Sequence, residues 1–389
     1  MKNLSLIFLA ILSINIANAQ WVQTSINNTT VTSLAVSGSN IYAGTIKGVY
    51  LSANNGTIWT AMNNGLTDSI ILSLAVNGNN IYAGTTNGVY LSSNNGTNWT
   101  AVNNGIANKS VIAIAISGNN IFAGTSEDGV FLTTNNGANW TAVNNGLTTI
   151  EITSLAISGN NIFAGTEYGH IFLSNNNASS WINASNNLIF SNFIMSLATD
   201  GNKIYASLDD MGVYYSSDNG VSWTAANNGL TSPWIKTFAI SGGDIFAGSY
   251  GEGVFYSSNN ANIWVNKGLT NKGVLSLKIE GNYIYAGTEN EGVWKRQLSE
   301  ITDVEKNDSD TELSVFPNPV KDNLIIELKE SQILQNSSIS IYNIQGQLLL
   351  HENLMQSQTV FNIEEFAKGI YIIKIYNDKE SLQEKFVKE

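Results

Sequence analysis

Residues 91–105 read LSSNNGTNWTAVNNG, and the phrase returns with small changes in six copies along a chain of 389 residues. A turn-plus-tryptophan phrase rewritten that often makes the chain an array, and a second phrase sets its spacing. That phrase is IYAGT from Ile41 and Ile81, IFAGT from Ile121 and Ile162, IYASL from Ile204, IFAGS from Ile245 and IYAGT from Ile284. Its alanines fall at 43, 83, 123, 164, 206, 247 and 286, a period of 39 to 42 that gives seven units. In the second unit, residues 73–76, 80–85, 88–92 and 99–102 are short β-branched and aromatic runs bounded by Asn and Gly, which reads as four strands. Asn-Gly supplies the positive φ angles of tight hairpins. Seven four-stranded units predict an all-β fold, a seven-bladed β-propeller. A solenoid of this period would need capping units, and the sequence has none.

The ends of the array complement each other. The seventh unit has strands at 275–279, 283–287 and 292–295 and no fourth, while Trp21-Val22-Gln23-Thr24 aligns with Trp59-Thr60-Ala61-Met62. Pairing the leading segment with the last unit closes the ring and removes two open sheet edges.

The start, MKNLSLIFLAILSINIANAQ, has a basic n-region (Lys2), an apolar run from Leu4 to Ile16 and the small-x-small box Ala17-Asn18-Ala19. This predicts a signal peptide over 1–19, cleaved after Ala19; a retained anchor is the alternative reading. The apolar run is shorter than a bilayer-spanning helix requires, and no transmembrane segment is expected in the mature chain. There is no cysteine, so neither disulfides nor thiolate metal sites can form. Net charge is −12, of which residues 20–298 carry −5 and residues 299–389 carry −8. Such a balance excludes nucleic acid as a partner.

Ser216-Ser217-Asp218-Asn219-Gly220-Val221-Ser222-Trp223 resembles the Asp-box, S-x-D-x-G-x-x-W, of sialidase-like (BNR) and related propellers. Five other units keep the frame with Asn for Asp: Asn54/Gly56/Trp59, Asn94/Gly96/Trp99, Asn135/Gly137/Trp140, Asn176/Ala178/Trp181 and Asn259/Ala261/Trp264. The carboxylate or amide accepts hydrogen bonds from turn amides, Gly permits the reversal and the indole buries beneath it. The resemblance implies a structural turn lying away from the ligand face.

In an up-and-down blade the second-to-third loops and the inter-blade links share the opposite face. There the units stop copying one another. Glu127 and Asp128, Glu167 and Tyr168, Asp209 and Asp210, Tyr250 and Glu252, and Glu289 and Glu291 occupy equivalent loops of units three to seven. Eight of the fourteen propeller acids therefore gather on these loops. One reading is an acidic arc suited to a cation, a basic partner or sugar hydroxyls, with Trp234, Tyr168 and Tyr250 as stacking platforms. The other is that exposed loops carry charge because strands cannot, and that the aromatics pack against neighbouring blades.

Sialidase-type chemistry needs an arginine cluster, and the chain has one arginine, Arg296. The repeated boxes are also similar to propellers of the xyloglucanase type, which pair two propellers across a cleft; one is encoded here. If the protein is a glycoside hydrolase, its carboxylates come from Asp128, Glu167 and Asp209. His170 and His351 have no metal-ligand spacing, and no pattern asks for a metal or cofactor.

Composition shifts at Leu298, and residues 299–312 read as an acidic linker. Residues 313–389 alternate as a small Ig-like β-sandwich of about seven strands. Phe316-Pro317-Asn318-Pro319, Ile341-Tyr342-Asn343-Ile344-Gln345-Gly346 and Gly369-Ile370-Tyr371 resemble the type A sorting domain of the type IX secretion system. That implies the secretion machinery as a partner of residues 313–389 and a secreted or outer-membrane-surface destination. An Ig-like binding module of the same shape is the alternative. The expected mature role is binding of a glycan or protein by the loop face, with glycoside hydrolysis as the alternative and an inert spacer as a third.

Overall fold

The computed structural model describes residues 20–188, 192–258, 260–302, 313–328, 337–354, 356, 358–376 and 381–389. The export segment 1–19, Asn259 of the sixth turn and residues 303–312 of the linker lie outside the described residues. The chain divides into two compact units, Met1–Asp303 and Val304–Glu389.

The first unit is the seven-bladed propeller the repeat predicts. In the second blade Ile71–Asn77, Asn80–Thr85, Gly88–Ser92 and Thr100–Ala101 pair antiparallel in that order. First strands of successive blades pack side by side, and Val31–Ser37 packs on Val274–Glu280, which closes the circle. Closure uses the leading segment. Val22–Gln23 pairs with Gly292–Gln297, Val22 opposite Lys295 and Gln23 opposite Trp294, and the Thr24 amide donates to the Val293 carbonyl at 2.9 Å.

The phrase IYAGT is a packing instruction. Ile121, Phe122 and Ala123 are fully buried. A Cβ on Gly124 would sit 2.5 Å from Cγ2 of Ile152 in the next blade, so the close approach of neighbouring sheets excludes a side chain there. The Thr125 hydroxyl donates to the Gly129 carbonyl at 2.8 Å and accepts the Asp128 amide at 3.1 Å, clamping the loop to the third strand.

The opening phrase resolves into two devices. In the hairpin, Ser92 Oγ donates to Asn94 Oδ1 (2.9 Å) and accepts the Gly96 amide (2.8 Å), while Asn94 Oδ1 accepts the Asn98 amide (2.9 Å). Asn95 and Gly96 have positive φ, 56° and 82°. Where Ala replaces the glycine, Ala178 and Ala261 keep positive φ at 61° and 65°, a strained backbone held by the surrounding turn. The indole then leaves its own blade, and Trp99 Nε1 donates to the Met62 carbonyl of the preceding blade at 2.8 Å. Trp140, Trp181, Trp223 and Trp264 do the same to Val102, Val143, Ala184 and Ala226, and Trp21 to Lys267. Trp59 is the exception and donates to Gly56 of its own turn.

The second Asn-Asn-Gly forms no hairpin. It is the link between blades. Asn103 Oδ1 accepts the Val89 amide at 2.7 Å, and the Asn104 carbonyl accepts the Trp140 amide at 2.8 Å. Gly105 has φ +91°, and a Cβ there would lie 2.1 Å from the Trp140 carbonyl oxygen, so the position requires glycine.

Ser299–Thr302, expected to open the linker, forms a helical turn that buries Ile301. Arg296 holds it by donating to the carbonyls of Lys267 (2.7 Å) and Glu300 (3.0 Å).

The second unit shows seven strands among its described residues, in a three-stranded sheet (Leu313–Phe316, Asn323–Leu328, Gln358–Asn362) and a four-stranded one. The latter runs Leu348–Asn353, Ser338–Asn343, Gly369–Tyr376, Ser381–Lys388 across its width. Ile339, Ile341, Ile373, Phe361 and Phe386 form the core between them.

Two predictions follow from the turns and the closure. Trp21→Ala removes a buried indole and its inter-blade hydrogen bond, and should lower unfolding free energy by about 3–5 kcal/mol in a denaturant titration. Asp218 accepts from the Ser222 hydroxyl (2.6 Å), the Ser222 amide (2.9 Å) and the Ser216 hydroxyl (2.8 Å). These bonds, the Ser222 hydroxyl first, hold its carboxyl down from the ordinary 3.8 to about 2. A depressed carboxyl stabilises the fold above its unfolded value and loses that contribution as pH falls toward the folded one. The melting difference between the parent and Asp218→Asn should therefore be flat above about pH 5 and shrink between about pH 4 and 2.

Candidate functional site: the loop face of blades five to seven

Antiparallel pairing places the second-to-third loops and the inter-blade links on one face, opposite the tryptophan turns. What they carry is set by sequence divergence, since each loop is clamped at its ends like its neighbours. Tyr250 follows Ser249 as Asp209 follows Leu208, and both backbones are pinned to the link that leads into the first strand of their own blade. The Tyr250 amide donates to the Trp234 carbonyl at 2.8 Å and the Asp209 amide to the Phe193 carbonyl at 2.9 Å.

One group of the expected residues converges. Trp234 Nε1 donates to Asp210 Oδ1, and Trp234 is followed two residues later by Lys236, whose ammonium lies 5.8 Å from the centroid of the Tyr250 ring. The Glu289 carboxylate stands beside the Tyr250 ring, and its hydrogen-bonding pull and negative charge push the pKa of the Tyr250 hydroxyl up. Gly273 makes a β-bridge with Tyr250, and its carbonyl accepts the Glu289 amide at 2.8 Å. Asp210, Trp234, Tyr250 and Glu289 thus form one chain from blade five to blade seven. Trp234 is 45% exposed and Tyr250 41%. Each ring has a carboxylate from a neighbouring loop beside it and remains open to solvent.

The other expected residues stay separate. Asp128 pairs with Lys109 at 2.7 Å and Glu291 with Lys272, and Lys272 also stands 4.8 Å over the Trp294 ring. Such exposed pairs contribute about 0–1 kcal/mol each, so they shape the local charge more than the stability. Glu127, Glu167, Asp209 and Glu252 have no side-chain partner among the described residues, and Tyr168 projects from blade four, 51% exposed. The uniform acidic arc of the sequence reading is thereby interrupted by Lys109, Lys236 and Lys272. Those lysines sit in inter-blade links or at the start of first strands, positions assignable to this face from the strand order alone; their pairing partners are not readable without coordinates.

Among the described residues no three His, Asp or Glu side chains converge as metal ligands would. Arg296 lies at the blade seven junction and is spent on carbonyls, and His351 accepts or donates with Ser340 in the second unit. A cavity of about 360 Å³ lies on the turn face, lined by Lys203, Tyr215, Asn227, Asn228 and Asn260, away from the rim carboxylates.

Comparison with known proteins follows this division. Residues 314–389 match the secretion system C-terminal sorting domain family, and residues 13–161 match the DUF6242 β-propeller domain. Over 91 residues the chain is 37% identical to a funoran endo-β-hydrolase of Wenyingzhuangia aestuarii, covering 22% of this chain and 12% of that protein. The propeller resembles YCF48 from Cyanidioschyzon merolae at 15% identity and a TM-score of 0.57, over 72% of this chain and 99% of YCF48. It also resembles the GH74 xyloglucanase from Xanthomonas campestris at 15% identity and a TM-score of 0.56, over 79% of this chain and 59% of the enzyme. At these identities the likeness is one of fold.

Breaking the carboxylate contact to Tyr250 has a direct readout. Glu289→Gln should lower the pH at which Tyr250 ionises, seen as an earlier step in a tyrosinate absorbance titration against a Tyr250→Phe reference.

Taken together, the chain is a seven-bladed β-propeller followed by a C-terminal type IX secretion sorting domain, which directs it to the cell surface or the medium.

Proposed function

We propose that the mature protein begins at Gln20, that its repeated turns are Asp-boxes acting as structural clips, and that its loop face binds a glycan. The observation that carries this reading is the chain Asp210–Trp234–Tyr250–Glu289. Sugar rings present C–H faces that pack on exposed aromatics and hydroxyls that bond to carboxylates, and here each aromatic has a carboxylate beside it. The exposed Tyr168 extends the same surface toward blade four, with Glu167, Asp209 and Glu252 as further acceptors and Glu127, Asp128 and Glu291 at its margins.

The second reading, glycoside hydrolysis by Asp128, Glu167 and Asp209, draws on the partial identity with the funoran hydrolase. Two carboxyl groups about 5–9.5 Å apart across a bound sugar would be required.

A glycan array followed by calorimetry separates the two. Binding without release of reducing ends, weakened about tenfold by Trp234→Ala or Tyr250→Ala, fits loss of an interface anchor and supports the binding module. Turnover abolished by Asp128→Asn or Asp209→Asn would establish the hydrolase instead. Binding unchanged in both aromatic variants would remove the proposed site.

A further inference from the structure

The sorting domain has two exposed sheet faces, and they differ in charge. Residues 313–389 carry seven lysines against ten carboxylates, so an average patch of this domain is acidic. The outer face of the four-stranded sheet departs from that average. Tyr371, Ile373 and Ile375 point into the core, so Ile370, Ile372, Lys374 and Tyr376 point outward. Pairing sets Tyr342 between Leu348 and Ile372, Lys385 beside Ile372, and Val387 beside Ile370. The result is an apolar stripe, Leu348–Tyr342–Ile372 with Ile370 and Val387, in which Leu348 is 51% and Ile370 49% exposed. Lys374 stands 5.7 Å over the Tyr342 ring and Lys385 is exposed at the stripe's edge. Within the four strands no Asp or Glu takes an outward position, since Glu352 and Glu384 pair with the inward-facing Ile339 and Ile373.

The three-stranded sheet offers a smaller outer row, Phe316–Ile325–Val360, with Glu327 on the same face. An exposed apolar stripe in a folded secreted domain marks an interaction surface. Two copies of this face would set lysine against lysine, so self-pairing is disfavoured by like charge.

We infer that the outer face of the four-stranded sheet, Leu348, Tyr342, Ile370 and Ile372 edged by Lys374 and Lys385, is where the secretion machinery docks. The occupant is a protein component of the type IX apparatus that presents an apolar strip bordered by carboxylates. The inference rests on the sorting role of residues 313–389. The face brings hydrophobic contact at its centre and cations at its rim, the arrangement in which rim charge selects the partner and central anchors hold it.

The test is export of the full chain from a bacterium with an active type IX system, measured as the fraction reaching the surface and medium against the periplasm. Ile370→Asp and Leu348→Asp should each cut the exported fraction about tenfold, as loss of a central anchor does. The double reversal Lys374→Glu, Lys385→Glu should do the same, with unchanged melting of the purified proteins in every case. Val360→Asp, on the other sheet, should export normally. A chain ending at residue 312 gives the zero of the assay. If that shortened chain is exported as well as the whole, the sorting role and the docking face both fall. If it is retained while the four-stranded-sheet variants export normally, or if Val360→Asp is retained as strongly as they are, the docking face alone falls. Dimers in the purified parent that dissociate on Ile370→Asp would assign the face to self-association and overturn the inference.

Discussion

Six of the seven blades are tied to the one before by a tryptophan that does not stay in its own sheet. The indole N–H reaches a carbonyl at the end of the preceding fourth strand, as Trp140 reaches Val102, and the ring fills the junction. A single such bond contributes about 0.5–1.5 kcal/mol net, yet it stands beside a buried indole and recurs around the ring. The hairpin beneath it exists to aim that side chain. Its Ser and Asn oxygens satisfy the amides of a backbone forced into positive φ, so the turn is rigid before the indole is placed. In this fold the repeated phrase is a junction device, and the units diverge from one another in the loops of the opposite face.

The seam where the ring closes is the place where the device is incomplete. Trp21 reaches Lys267 as its counterparts reach theirs, but Trp59 turns back to Gly56. The hydroxyls of Thr24 and Thr29 are buried there without a partner among the described residues. The link from Trp21 to Val31 is also shorter than its counterparts, Trp59 to Ile71 and Trp99 to Val111, and has no second Asn-Asn-Gly. Closure at this seam relies on the strand pairing of Val22–Gln23 and on the packing of Ile26 against Trp59 and Val293.

Much of the architecture was legible because the information is periodic. The alanines of IYAGT count the blades, and the orphan Trp21 segment predicts which strand completes the last one. The role of the second Asn-Asn-Gly was not legible, because its partner, the Trp amide of the next blade, lies more than thirty residues away and only the folded ring shows it. The same limit applies to the site. Strand order places Asp210, Trp234, Tyr250 and Glu289 on one face, but nothing local to any of them reveals that Trp234 bonds to Asp210 or that Glu289 stands beside Tyr250. Lys109 and Lys272 lie in links whose loops are many residues from Asp128 and Glu291, so a count of acids along the loops overstates the charge of the rim. Ser299–Thr302 was read as linker because its composition is polar, and one buried isoleucine, Ile301, was enough to dock it.

Circular closure is the claim on which the placement of every loop depends, and amide hydrogen exchange reports on it strand by strand. A paired inner position exchanges only on opening of the fold, whereas an unpaired edge exchanges freely. The amides of Gly292–Gln297 that face Val22–Gln23, and the Thr24 amide bonded to Val293, should be protected to the level of Gly129–Thr133 inside the third blade. Rapid exchange at Thr24 and along that edge, with the third blade still protected, would show an open ring and contradict the account.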